Sequence, residues 1–173
     1  MTVTALVLVD LQNATVGAPT LPHTGPEVVV RAAALLRAFH EKGAPVVLVR
    51  VTADAVHALP EGWDAIVDDL AGHPDDVVVT KRGWNAFHGT DLDPHLRRRG
   101  VTRIVLAGLT TSMGVESTAR AAHDHGYHVT LATDAMADLD PEAHRNSVER
   151  IFPRLGECRT TAEIVARLTG NTR

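Results

Sequence analysis

Two charged side chains stand where apolar runs stop. Asp10 closes the run Ala5–Val9, and Lys81 closes another, Asp76–Thr80. The continuous apolar run Ala5–Val9 predicts a strand covered on both faces of a parallel sheet, and Asp76–Thr80 predicts a further strand that delivers Lys81. The carboxyl edge of such a sheet is where open α/β folds bind ligands. A buried lysine needs an anion nearby, because desolvating an ammonium ion is costly, and Asp10 is the obvious partner. Each could hold the other charged, or the two could share a proton and titrate as one system. A carboxyl so placed can serve as a general acid or base; equally, it can cap a turn or neutralise a cation.

A third element offers backbone rather than side chains. In Arg103–Ala122 the branched run Ile104–Ala107 ends at Gly108, threonines and a serine follow, and a helical pattern starts at Val115. That is strand, tight turn, helix. The helix start would present unpaired N–H groups and a positive dipole end, a place for developing negative charge. Val115, Ala119 and Ala122 fall at helical spacing and can face the sheet.

These residues resemble a known family. The pattern G-x-x-T-x-x-(C)-V-x-x-T-A-R-x-A over Gly108–Ala122 is similar to the active-site turn of the isochorismatase-like hydrolases, or cysteine hydrolases. Leu8–Asn13 resembles the family's first-strand motif with its acid. Val79–Arg82, followed by Asn85–Phe87 and Thr90–Leu92, resembles its lysine motif. One departure matters: where the amide hydrolases carry the nucleophilic cysteine, this chain has Gly114. The isochorismatases proper, which cleave a vinyl ether without a thiol, also carry glycine there.

The resemblance implies a three-layer α/β/α, Rossmann-like fold with a six-stranded parallel sheet in the order 3-2-1-4-5-6, which brings Asp10, Lys81 and the Gly114 turn together. It implies a hydrolase with Asp10, Lys81 and Gly114 at the catalytic centre, and an oxyanion hole at Leu109, Thr110 and Gly114 that includes a non-proline cis peptide. Asn13 in the first motif and Asp54, close to where isochorismatases place a glutamine, are candidate substrate contacts. Trp84 and Phe87, two of six aromatic residues, follow Lys81 and would either line an apolar pocket or pack on a neighbouring subunit. A homo-oligomer is implied.

Without a thiol, an acid, a cation and backbone donors suit acid-assisted hydrolysis: Asp10 protonates an enol-ether carbon and water adds to the oxocarbenium ion. Ser112 and Thr111 lie two and three residues from the nucleophile position and would point elsewhere. The rival expectation is a catalytically silent small-molecule binder or scaffold that kept the pocket.

Around these residues the chain alternates strand and helix. Helices are expected at Pro26–Lys42, Asp91–Arg99, Val115–His125, Pro141–Ile151 and Thr161–Leu168, and within the acidic stretch Glu61–Pro74. Strands are expected at Pro45–Val51, at Tyr127–Thr133 and near Cys158, with Asp134–Asp138 a loop. Gly17, Pro19, Pro22 and Gly25 make Thr15–Gly25 a loop over the site. At 173 residues, 45% hydrophobic and 22% charged, the chain fits one globular domain, residues 1–173. Its net charge of −4 is interspersed, so nucleic acid is not an expected partner, and Arg97–Arg99 reads as a solvated helix end.

The first apolar run is too short for a secretory or membrane segment, so a cytoplasmic enzyme acting on a small molecule is the expectation. One cysteine, Cys158, excludes an internal disulfide and reads as structural. Nicotinamidases of this superfamily bind a metal after strand two, but Asp54 and His57 do not match that spacing. The ten histidines are scattered, so neither a metal nor an organic cofactor is expected.

Overall fold

The computed structural model describes residues 2–53 and 60–170. Its strands are β1 (Val3–Val9), β2 (Val46–Val51), β3 (Val77–Lys81), β4 (Val101–Leu109), β5 (His128–Ala137) and β6 (Gly156–Arg159). All pair in parallel, in the order β3-β2-β1-β4-β5-β6. The chain winds outward from β1 in one direction, then returns to β4 on the other side. The switch point therefore lies between β1 and β4, where ligands enter open sheets of this kind.

Alternation along the buried strands feeds two cores. Ala5, Val7 and Val9 of β1 join one core with Ile104, Leu106, Val129 and Leu131. There they meet helix α3 (Leu92–Arg98), helix α4 (Glu116–Asp124) and Phe152 of α6 (Phe152–Leu155). Leu6 and Leu8 point the other way, into a core closed by Val28, Ala32, Leu35 and Phe39 of α2 (Gly25–Glu41) and Ile164 of α7 (Thr161–Thr169). A strand sealed on both faces has no room for a polar position, which is why its sequence is an unbroken apolar run. Val115, Ala119 and Ala122 are fully buried on the sheet, as their spacing predicts.

Several boundaries differ from expectation. β5 continues through the supposed loop to Ala137, where Met136 and Ala137 re-pair with Gly108 and Leu109 after a register shift. That irregularity hides the strand from a period-2 reading. No helix forms in 60–76; the segment is a string of turns, fastened by Val67 N–H to the Leu11 carbonyl at 3.1 Å and by an antiparallel bridge between Gln12 and Ile66. Residues Asn13–Val16 make a single helical turn, α1, at the start of the loop that leads to α2. The helix from Pro141 is interrupted: α5 (Pro141–Asn146) passes through a π-helical turn, Ser147–Ile151, into α6. Arg97, at the solvated end of α3, lies 4.5 Å over the Tyr127 ring and donates to the His125 carbonyl. Among the described residues, no helix is long and apolar enough to cross a membrane.

Candidate active site

Asp10 stands one residue past β1 and Lys81 ends β3, with β2 between their strands. Their side chains meet across that gap, Lys81 Nζ lying 2.8 Å from Asp10 Oδ2. Lys81 is 2% exposed and Asp10 5%. The ammonium group also donates to the Gly83 carbonyl at 2.9 Å, so it is committed to the aspartate and to its own loop.

Asp10 adopts φ 53°, the left-handed region, where no other described non-glycine residue lies. Aspartate tolerates it better than most, and outliers of this kind concentrate at functional sites. The conformation is held by Asp10 N–H to the Val49 carbonyl at 2.8 Å and by Thr15 Oγ1 donating to the Asp10 carbonyl. Burial raises the Asp10 carboxyl to about 6, against the opposing pull of the Lys81 charge and hydrogen bond. Oδ1 is buried and has no hydrogen-bond partner among the described residues. One carboxyl oxygen is thus pinned and the other is left for a proton or a ligand.

The turn after β4 closes the site. The Leu109–Thr110 peptide is cis, as the family resemblance implied, and a π-helical turn, Thr111–Val115, leads into α4. Gly114 approaches the aspartate so closely that a Cβ there would lie 2.9 Å from Asp10 Oδ2, 3.2 Å from Val9 Cγ1 and 3.3 Å from the Leu109 carbonyl. The place of the missing side chain is therefore occupied by the carboxylate, not left as open room. Gly114→Ala should push Asp10 off Lys81 and cost about 1–3 kcal/mol, the usual range for overpacking. Chemical denaturation checks it; an unchanged midpoint would show that the carboxylate moves freely.

The surrounding supports were only partly visible in the sequence. Thr118, fully buried in α4, accepts from Ala86 N–H at 3.1 Å and ties the Lys81 loop to the turn. Asp138, just beyond β5, accepts from Ser112 N–H at 2.6 Å, and its backbone pairs in both directions with Leu21. That pairing stretches the residue 17–24 loop across the sheet edge, where its glycines and prolines placed it. Asp138 follows the end of a buried strand as Asp10 does, but the register shift in β5 conceals that end in the sequence. His144 of α5 holds Thr111 Oγ1 through Nδ1 at 2.8 Å, and burial lowers its pKa. Since Thr111 is fully buried, its hydroxyl fastens α5 to the turn and offers no exposed nucleophile.

Other candidates fall elsewhere. Asn13 is exposed and donates to the Gly62 carbonyl at 2.9 Å. Phe87 is buried in the chain's own core, stacked on His125 at 4.9 Å and tilted to Tyr127 at 5.8 Å. The bend at Arg82–Trp84 and the Ala86–Thr118 hydrogen bond turn Phe87's loop inward, which spacing alone does not show. Trp84, beside Gly83, is 62% exposed. Asp54 and His57 lie outside the described residues. Cys158 packs against the core on β6, where burial raises its thiol pKa.

The isochorismatase domain family matches residues 4–163. The chain belongs to the isochorismatase family. YecD of Escherichia coli O157:H7, described as an uncharacterised member, is 42% identical over 95% of this chain and 96% of its own length. An isochorismatase family protein from Burkholderia thailandensis superposes with a TM-score of 0.90 at 41% identity, covering 96% of this chain and 95% of that one. The ureidoacrylate amidohydrolase RutB of Methylobacterium radiotolerans is 40% identical over a shorter stretch, 51% of this chain and 35% of its own length. The six-stranded fold in the order β3-β2-β1-β4-β5-β6 is therefore a family architecture.

Proposed function

We propose that this family member hydrolyses a small molecule by acid-assisted addition of water, of the vinyl-ether type, with no thiol nucleophile. The observation that carries the reading is the buried Asp10 carboxyl, raised to about 6 by desolvation, with Oδ2 paired to Lys81 and Oδ1 unpartnered among the described residues. Oδ1 carries the proton. Its transfer to the enol-ether carbon leaves an oxocarbenium ion and an Asp10 carboxylate, whose negative charge Lys81 and the cation stabilise. Water adds to the cation, Asp10 recovers a proton from it, and the resulting hemiketal collapses to a ketone and an alcohol. Lys81, held by Asp10 and Gly83, tunes the acid rather than anchoring the substrate. The backbone of Leu109, Thr110 and Gly114 would stabilise oxygen charge as the hemiketal breaks down.

The competing chemistry, attack on an amide as the name of RutB implies, needs a nucleophile that Gly114 does not supply. The test is turnover on isochorismate, as a representative vinyl ether, and on a panel of small amides. Vinyl-ether cleavage by the wild type supports the proposal. A silent wild type whose Gly114→Cys variant cleaves amides would sink it, in favour of a binding protein that kept the pocket.

The pH dependence follows from the same carboxyl. Because the acid form is required, kcat/KM should be level below about pH 6 and fall about tenfold per unit above it. Lys81 lowers the Asp10 pKa, so Lys81→Met should move the falling limb to higher pH. A limb that stays in place would mean that another group titrates.

A further inference from the structure

At the opposite edge of the sheet, three potential metal ligands converge from separate parts of the chain. His40 lies in the last turn of α2, and His73 and Asp76 lie in the segment leading to β3. One ligand atom from each falls within 4.8 Å of the others. His40 Nε2 is 2.7 Å from Asp76 Oδ1, and His73 Nδ1 is 3.8 Å from that oxygen. The imidazoles stack with centroids 3.8 Å apart. Around a tetrahedral zinc ion with bonds near 2.0 Å, neighbouring ligand atoms lie about 3.3 Å apart, and the two observed separations bracket that value.

Two further observations point to a cation. The Asp76 side chain is only 4% exposed, yet Oδ2 is buried without a hydrogen-bond partner among the described residues. A carboxylate oxygen left in that state is costly unless something charged meets it. The cluster also sits at the C-terminal end of the 17-residue helix α2, where the partial negative charge of the free carbonyls favours cations. A cleft of about 710 Å³, lined by all three residues together with Val3, Asp75 and Arg99, opens onto the cluster.

We propose that His40, His73 and Asp76 bind a divalent transition-metal ion, with zinc the best match and a fourth position open to the cleft. Two imidazoles and one carboxylate suit zinc and its neighbours, not calcium or magnesium, which take oxygen sets. The ion takes the place of the His40 Nε2–Asp76 Oδ1 hydrogen bond, and His73 Nδ1 exchanges its 3.3 Å contact with Asp75 N–H for the metal. Bound there, the metal clamps the end of α2 to the start of β3. Val3 lines this cleft and Asp10 lies at the other end of β1, roughly 20 Å away at the usual strand rise. The site is therefore separate from the catalytic edge and does not depend on the acid mechanism.

The experiment is titration of the chelator-treated protein with ZnCl2 by calorimetry, and with CoCl2 followed by visible absorption. The expected result is one equivalent per chain, with cobalt bands of tetrahedral intensity. His73→Ala, at a side chain 39% exposed, removes a ligand with little risk to the fold, and Asp76→Asn keeps the shape of the carboxylate. Each should weaken zinc binding by more than about 10–100-fold, the cost of losing even an outer-shell partner, while Asp10→Asn binds as the wild type does. Zinc binding that is weak, exceeds one equivalent, or survives in His73→Ala would overturn the site.

Discussion

Asp10→Asn should lower kcat by about 10²–10⁴-fold, the range of a positioned general acid, and leave product affinity within a few-fold of the wild type. Asparagine is the apt replacement for two reasons. It tolerates the left-handed backbone as aspartate does, so the φ of 53° need not change, and its carbonyl can still accept from Lys81. What it lacks is a titratable proton. The remaining concern is charge: Lys81, 2% exposed, would face a neutral partner, and an unpaired buried ion can cost about 3–5 kcal/mol. The double variant Asp10→Asn, Lys81→Met removes that charge. Its stability should recover relative to the single variant while turnover stays lost, which separates the acid's chemistry from the fold. Full turnover by well-folded Asp10→Asn would exclude acid catalysis by this residue.

Why Asp10 and Lys81 could be read from the chain, and Asp138 and the His40 cluster could not, has a physical explanation. A strand buried on both faces leaves an apolar signature, so the first charge after it marks the sheet edge, as Asp10 does after β1; β3 is an edge strand with Val78 and Thr80 exposed, and there the valine run Val77–Val79 marks the strand that delivers Lys81. β5 breaks the rule, because its register shift sets Ala132, Thr133, Asp134 and Ala135 against the single residue Ala107 between its two segments paired with β4. The sequence pattern therefore ends the strand at Thr133 and leaves Asp138 in a loop. Phe87 is hidden for another reason. Aromatic residues in a loop suggest a pocket, but whether such a loop folds inward depends on Thr118, 32 positions away, which anchors Ala86. His40, His73 and Asp76 meet only because β2 and β3 are adjacent, and pairings of that range leave no local pattern. The family resemblance supplied the strand order that single-chain patterning lacks, and with it the meeting of Asp10 and the β4 turn.

Gly108→Ala should be among the most damaging single methyls at the described glycines, because only there does a 2.0 Å backbone clash coincide with a positive φ. Gly108 is the β4 residue paired with Val9, directly before Asp10. Its φ of +133° lies where side chains are rarely tolerated, and a Cβ would come 2.0 Å from the Val9 carbonyl oxygen and 2.7 Å from the Val9 nitrogen. Gly114 differs, because its nearest obstacle is the end of a side chain that can swing. Here the obstacle is the backbone of the central strand, sealed by a core on each face, so relief requires β1 and β4 to part. Strain at one such position costs about 1–3 kcal/mol, and the steric overlap adds to it, a combined loss comparable with much of a typical domain's 5–15 kcal/mol. Gly108→Ala should therefore be recovered mainly as insoluble or unfolded chain, with a far lower melting temperature in any soluble fraction. A soluble Gly108→Ala protein with near-native melting would show that β1 and β4 can separate at the switch point, and that the close contact holding Asp10 against the turn is softer than their packing implies.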